Sequence, residues 1–374
     1  MHAKKLVPQI RFKGFEEEWR YKILNELANK FDNLRIPVSE KLRKAGDIPY
    51  YGANGIQDYV SGYTHDGEFV LVAEDGANDL NNYPSKYVNG KFWANNHVHV
   101  IQGKENILDN KFLSFAIKNF NFKPLLTGGD RSKLNASALD IIQIKNPSIK
   151  EQEKIGLLFS SLDSLITSQE LKLQKLQAVK QSLLDKMFAS NNEKVPKIRF
   201  KAFHEQLELV TLKNILEYER PDKYIENSPL QKHGLIPVLT ANKSFILGYS
   251  NENQKKYNKG RCIIFDDFTL DSKYVDFPFM VASSAIKILT PKSKSDNLYY
   301  YFCLLNKTTF ENQGHARHYI SIISNTKIYI PSKGNERELI GKLFYSIDTL
   351  ITAQETKLEK LNNIKQGLLE KMFC

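Results

Sequence analysis

The chain has 374 residues, 41% of them hydrophobic, and a formal net charge of +11, which predicts two or three folded domains. No apolar run approaches the roughly 18 residues that a membrane span needs, and the opening MHAKKLVPQIRF lacks the apolar core of a signal peptide, so no membrane contact and a cytoplasmic location are expected. Cys262, Cys303 and Cys374 are odd in number, scattered and without a metal-ligand spacing, as expected of reduced thiols.

In chain order, VPQIRFKGF (Val7–Phe15) comes first, followed by IPYYGANG (Ile48–Gly55). GEFVLVAEDG (Gly67–Gly76) and FWANNHVHVI (Phe92–Ile101) read as buried strands between turn residues. KFLSFAIKN is a short apolar helix, GGDRSK (Gly128–Lys133) a glycine-opened loop, and LDIIQIKNP (Leu139–Pro147) a closing strand stopped by proline. A long helical stretch ends on KQSLLDKMF at Phe188. After the polar joint Asn191–Lys194 the order repeats. VPKIRFKAF (Val195–Phe203), IPVLTANK (Ile236–Lys243), strands at Gly260–Phe268 and Phe279–Leu289, the helix NLYYYFCLLN, the loop GHARHY (Gly314–Tyr319), the strand TKIYIP (Thr326–Pro331) and a second long stretch ending KQGLLEKMF follow.

The two long stretches, Glu153–Phe188 and Glu338–Phe373, align without a gap at about two-thirds identity, whereas the regions between them have diverged. Self-similarity at a fixed offset sets the architecture: two copies of one unit, with near-constant ends and variable middles. The variable middles carry the charge, +4 over residues 1–150 and +7 over 189–337, while both long stretches are neutral. A basic surface suits a polyanion such as nucleic acid.

Ile155, Leu158, Leu162, Leu165, Leu176, Leu183 and Met187 recur at helical spacings, as do Ile340, Leu343, Ile347, Leu350, Leu361, Leu368 and Met372. Each set predicts one apolar stripe on a helix of about 36 residues, about 54 Å long. A narrow stripe on so long a neutral helix wants a helical partner, and the other copy is the obvious one, packed antiparallel. Gln169 and Gln354 interrupt the stripe at the same point; a register-fixing pair and an exposed position are both open readings. The expected fold is therefore mixed α/β (α+β), with two α/β domains separated by an antiparallel two-helix coiled coil and related by a pseudo-twofold repeat. The expected boundaries are 1–150 for the first domain, 151–190 for the first helix, 191–337 for the second domain and 338–374 for the second helix.

No catalytic constellation is legible. No G-x-x-x-x-G-K-[ST] loop is present. KNPS at Lys145 lacks the second proline and the aromatic of the adenine-methyltransferase motif, and YIPS stands in its place in the other copy. The pairs His97/His99 and His315/His318 lack further ligands and are each absent from the other copy. Pro221–Asp222 with Asp271 and Lys273, a faint metal-nuclease pattern, has no counterpart in the first half. An enzyme written twice should show its chemistry twice, so neither catalysis nor a metal or cofactor is expected.

VP-x-I-R-F-K-x-F opening each half, I-P-x-x-x-A-N early in each domain, and I-G-x-L-F…L-D…L-I-T-x-Q-E-x-K-L…K-Q-x-L-L-x-K-M-F closing each together resemble the specificity (S) subunit of Type I restriction–modification systems over essentially the whole chain. The resemblance implies a non-catalytic subunit with two target-recognition domains, each reading half of a split double-stranded DNA site. It further implies helices that set the spacing and dock two modification (methyltransferase) subunits, and a restriction (nuclease–translocase) subunit joining the complex. DNA contacts are expected from matched loops. In the first domain these are Tyr51, Asn54, Lys91, Asn95, Asn96, Arg131 and Lys133; in the second they are Thr240, Asn242, Lys243, Ser283, Ser284, Arg317 and Tyr319. Asn can pair two ways with adenine, Arg with guanine or phosphate, and Lys mainly with phosphate. The competing expectation is a two-domain protein-binding scaffold with a coiled-coil strut, whose DNA affinity would be weak and indifferent to sequence.

Overall fold

The computed structural model describes residues 6–129, 132–189, 194–241, 244–293, 295–310, 319 and 322–373. The chain divides into two compact units. The first contains Met1–Glu170 and Lys357–Cys374, the second Leu171–Thr356. Each unit therefore joins one α/β module to the start of one long helix and the end of the other.

In the first unit, β1 (Arg20–Ile23) pairs antiparallel with β8 (Gln143–Asn146) beside a six-stranded sheet. That sheet has the order β2 (Ala28–Lys30), β7 (Val98–Gly103), β5 (His65–Ala73), β6 (Ser85–Ala94), β3 (Ala45–Gly52), β4 (Gly55–Val60). All its pairings are antiparallel except β3 with β6. In the second unit, β9 (Leu207–Thr211) pairs with β17 (Lys327–Pro331) as β1 does with β8. β10 (Leu216–Glu219), β16 (Ile286–Pro291), β13 (Cys262–Asp266) and β14 (Ser272–Val275) repeat the order β2-β7-β5-β6. β12 (Ile246–Ser250), β11 (Ile236–Leu239) and β15 (Met280–Val281) form a separate three-stranded sheet, with β11 parallel to β15. The long β6 of the first module thus corresponds to two strands, β14 and β15, in the second.

The strands expected across Phe92–Ile101 and Phe279–Leu289 are both broken. β6 stops at Ala94 and β7 begins at Val98; β15 stops at Val281 and β16 begins at Ile286. The breaks fall at the small polar residues Asn95–Asn96 and Ser283–Ser284, whose side chains compete for backbone donors and so favour turns. Asn95 Oδ1 accepts from His97 N, and Ser283 Oγ accepts from Ala285 N.

The long helices span Ile149–Met187 and Gly334–Met372. Their starts are fixed by matched buried ion pairs. Arg11 Nε and Nη2 donate to the two oxygens of Glu151 at 2.7 and 2.8 Å, and Trp19 Nε1 adds a third donor. Arg199 holds Glu336 the same way at 2.6 and 2.7 Å. Both carboxylates are buried in a first helical turn, where the helix dipole favours negative charge. One turn later, Gly156 and Gly341 allow close packing of the short helices Asn110–Lys118 and Leu298–Lys307. A Cβ on Gly156 would meet Asp109 Oδ1 at 2.6 Å and Phe112 N at 2.8 Å; one on Gly341 would run into Asn297 Oδ1. Asp109 and Asn297 are the N-cap residues of those helices, accepting from Phe112 N and Tyr300 N.

The repeated KMF ending closes each unit. In the first, Phe373 packs on Phe112, Phe159 and Trp19; in the second, Phe188 packs on Tyr300 and Phe344. Asp163 pairs with Lys365 at 2.5 Å in the first unit, and Asp348 pairs with Lys180 at 2.6 Å in the second. These contacts make the two helical segments within each unit antiparallel. The stripe they bury differs from the expected one by a position: Ile166 is 7% exposed, while Leu165 and Leu350 are 40% and 56% exposed. Alternating spacings of four and three, through Ile155, Phe159, Leu162, Ile166, Gln169, Leu173 and Leu176, keep a seam on one side of a coiled-coil helix. A spacing of three twice in succession rotates Leu165 off that seam. Gln169 and Gln354 stand at seam positions and are buried, so the exposed reading does not hold. Cys262 and Cys303 are buried free thiols, and burial pushes Cys262 up to about 12.

Arg11→Ala, which strands the buried Glu151 carboxylate, is expected to destabilise the chain by about 3–5 kcal/mol in urea unfolding. Arg11→Lys should recover only part of this, because a single ammonium cannot reproduce the two-point fork.

Candidate nucleic-acid interface

In the first module several separate stretches converge just past the end of β5. Glu74 N donates to His97 O at 2.9 Å and Gly76 N to Ser132 O at 3.3 Å. Asn54 Nδ2 donates to Gly76 O at 2.9 Å, while its Oδ1 accepts from Asn78 N at 3.0 Å. Asn95 N donates to Tyr51 O at 3.0 Å, and Asn95 Nδ2 to Gln57 Oε1 at 3.1 Å. The turn after β3, the Asn95 turn and the end of GGDRSK thus meet at one strand end. In the second module Asp267 N donates to Ala285 O at 3.1 Å, Ala282 N to Leu239 O at 3.0 Å, and Tyr319 N to Asp267 Oδ1 at 2.9 Å. The same three kinds of segment converge there.

Of the residues expected to touch DNA, Asn54, Lys91, Asn96, Ser283 and Ser284 are exposed, and the Lys133 side chain is 46% exposed. Tyr51, Asn95, Thr240 and Tyr319 are buried, at 6%, 3%, 5% and 1%, and their side chains face the module interior. Tyr51 packs on Phe92, and Tyr319 on Phe265 and Tyr218; aromatic rings at strand and loop ends are drawn into a core whenever one is within reach. Lys91 lies outside the convergence, across from Asp66 and 4.7 Å from the Tyr63 ring. Arg131, Asn242, Lys243 and Arg317 lie outside the described residues.

An arginine–aromatic stack near β3, with the Tyr50 ring buried, was not anticipated. Arg43 stands 4.3 Å over the Tyr50 ring, which stacks on Trp93. These three residues, with Leu42 and Lys44, help to line a cavity of about 300 Å³. The signal was available in KLRKAG (Lys41–Gly46), three cations in six residues.

A charge cluster lies beneath the first module's convergence. His99, fully buried, faces Asp32 Oδ2 through Nδ1 at 2.7 Å and Leu134 O through Nε2 at 2.8 Å. Glu74 is met by Arg35 Nη1 at 2.6 Å and Lys133 Nζ at 3.1 Å. Asp32, Glu74 and His99 bring ligand-type atoms within 4.8 Å of one another, but these cations already occupy the Glu74 carboxylate oxygens. Burial alone would raise both carboxyls. It is outweighed at Asp32 by the hydrogen bond and charge of His99, and at Glu74 by hydrogen bonds from Arg35 and Lys133, so both sit below their ordinary values.

Duplicated α/β modules, each with a basic excess and each clamped to a long helix, define an internally repeated protein. The family model of the Type I restriction modification DNA specificity domain matches residues 16–180 and again residues 204–363. The chain belongs to that family. A Haemophilus influenzae relative, named as a type I restriction enzyme specificity subunit, is 52% identical over 152 residues, covering 41% of this chain and 39% of the relative. The Escherichia coli EcoR124I/EcoR124II specificity subunit is 40% identical over 142 residues, covering 36% and 35%. The matched stretches therefore span well under half of either relative. In fold, the chain is similar to the crystal structure of a Type I restriction–modification S subunit from M. genitalium, with a TM-score of 0.77 at 15% identity over 98% of this chain and 99% of that one. No described helix is long and apolar enough to cross a membrane.

Because Asp32 and Glu74 are depressed in the folded state, their contribution to stability is full above the ordinary carboxyl range and is lost as pH falls through the folded values. Asp32→Asn is expected to cost about 1–3 kcal/mol at pH 7. Its deficit against the wild type should shrink below the ordinary aspartate value of 3.8, as read from urea unfolding across pH 2.5–7.

Proposed function

We propose that this chain is the sequence-reading subunit of a Type I restriction–modification complex and carries out no chemistry itself. Each module, residues 1–150 and 191–337, reads one half of a bipartite, asymmetric site on double-stranded DNA. The long helices set the gap between the halves and dock two methyltransferase subunits, and a nuclease–translocase subunit joins that assembly. The observation that carries this reading is where the two copies differ. The Arg–Glu clamp, the helix glycine, the closing phenylalanine and the Asp–Lys pair recur position by position, while divergence and positive charge are confined to the modules. Two different half-sites require two different reading surfaces on one frame. Docking of two like partners is supported by apolar residues left exposed at equivalent helix positions: Leu165 with Leu350, at 40% and 56%, and Val179 with Ile364, at 51% and 52%.

Two reading domains entering the major groove on one face of DNA place half-site centres about 34–36 Å apart, roughly one helical turn. Cells carrying this chain with its methyltransferase should show an N6-methyladenine motif of two unlike halves and a fixed gap. Inserting a heptad after Gln169 and another after Gln354 adds about 10 Å of helix and should lengthen the gap by about 3 base pairs or abolish methylation, since B-DNA rises 3.4 Å per pair. A continuous motif, or a gap indifferent to the insertions, would refute the spacing role. Sequence-indifferent binding would favour the scaffold reading. Separately, Leu165→Glu with Leu350→Glu should weaken methyltransferase association in pull-down and sedimentation measurements and leave unfolding within about 0.5 kcal/mol of wild type.

A further inference from the structure

The two modules share little sequence, yet both place the same pairing at one spot. In the first, Val72 of β5 faces His99 of β7, and Glu74 follows two residues after Val72. In the second, Phe265 of β13 faces Lys287 of β16, and Asp267 follows two residues after Phe265. Each strand end therefore carries an acid beside a basic side chain of the neighbouring strand. Glu74 Oε2 lies 3.8 Å from His99 Nδ1, and Asp267 Oδ2 lies 2.8 Å from Lys287 Nζ. Lys287 and Asp267 are buried almost completely, at 4% and 1%.

Each acid also grips the last residues of the glycine-opened stretch of its own module. Glu74 binds Lys133 Nζ at 3.1 Å through its side chain, and its backbone carbonyl accepts from Leu134 N at 2.6 Å. His99 Nε2 holds the Leu134 carbonyl from the other side at 2.8 Å. Lys133 and Thr127 exchange backbone hydrogen bonds of 2.8 and 2.9 Å across the base of the stretch. Asp267 Oδ1 accepts from Tyr319 N at 2.9 Å, and the Tyr319 ring is packed in the core. Lys133 and Tyr319 are the corresponding last residues of GGDRSK and GHARHY, each two positions after an arginine. Two diverged modules have thus kept the same job, an acid that ties the end of this stretch to the central strand, while changing every residue that performs it.

We propose that Glu74 and Asp267 are positioning residues for DNA reading: Glu74 ties Lys133 and Leu134, and Asp267 ties Tyr319, to the central strand of its own module, and the selectivity of one half-site depends on each. This rests on the DNA-reading function proposed above. It also gives Lys133 a different role from a phosphate contact: its ammonium is the loop-side end of the tie.

The test is selection of full-length chain, assembled with its methyltransferase subunits, on a randomised duplex library, followed by binding to single-mismatch duplexes over a range of salt. Glu74→Gln should lower discrimination against mismatches roughly tenfold, the worth of one base pair, in one half-site only. Asp267→Leu combined with Lys287→Met, which removes the acceptor of Tyr319 N and both buried charges together, should do the same in the other half-site only. Lys133→Gln, changed on the exposed side of the tie, should copy Glu74→Gln while leaving the salt slope unchanged. A lost phosphate contact would instead weaken all sequences alike and reduce that slope by about one, and this result would overturn the assignment. Variants that match wild type in thermal unfolding and select both halves with unchanged discrimination would also overturn it. Should Glu74→Gln fail to fold, Lys133→Gln decides the first module. A wild-type complex that selects no motif overturns the DNA-reading function itself, and the positioning role with it.

Discussion

Each long helix begins by burying a carboxylate, and much of the architecture follows from having to satisfy it. Glu151 and Glu336 lie in the first helical turn with almost no access to water. A lone buried charge is expensive, so a partner must come from elsewhere in the chain. It comes from the opening motif, through Arg11 and Arg199. That requirement draws residues about 140 positions upstream onto the helix start. The α/β module between them then has both its ends fixed at one place. The I-R-F motif and the helix start are near-constant in the two copies because each half is closed by this one contact.

The rest of the constant sequence serves the same closure. The helix glycine admits a capped helix end that any side chain would obstruct, and the phenylalanine of KMF completes the aromatic cluster there. The first helix begins in one unit and its last turns belong to the other, so Phe188 closes the second half and Phe373 the first. The phrase is written twice because two closures need it. Between these fixed ends the modules can vary widely. The long β6 of one becomes two strands in the other, yet the antiparallel order around the central strand persists.

Within each module, the segments that converge at the end of the central strand are held by backbone hydrogen bonds and an acidic side chain, joined in the first module by the side chains of Asn54 and His99. Backbone ties of this kind tolerate side-chain change. Residues at the rim, such as Asn96, Ser283 and Ser284, are free to differ between copies, while the geometry that presents them stays the same.

The sequence alone was enough for the duplication, the two long helices, the central strands and the location of the basic charge. These are periodic or compositional signals: apolar residues recur every three or four positions, and repeats align without gaps. Tertiary structure decided what periodicity cannot encode. Leu165 and Ile166 both fit a helical spacing, and only packing against a second helix buries Ile166 and Gln169 while leaving Leu165 in solvent. Tyr51, Asn95 and Tyr319 looked like surface residues because they stand in or beside polar loops, yet each is buried in its module. The pairings of Arg11 with Glu151, Glu74 with Lys133 and Asp267 with Lys287 were invisible for a shared reason. Charge pairing depends on distance in space, and the chain brings these residues together only when the sheet and helix have formed.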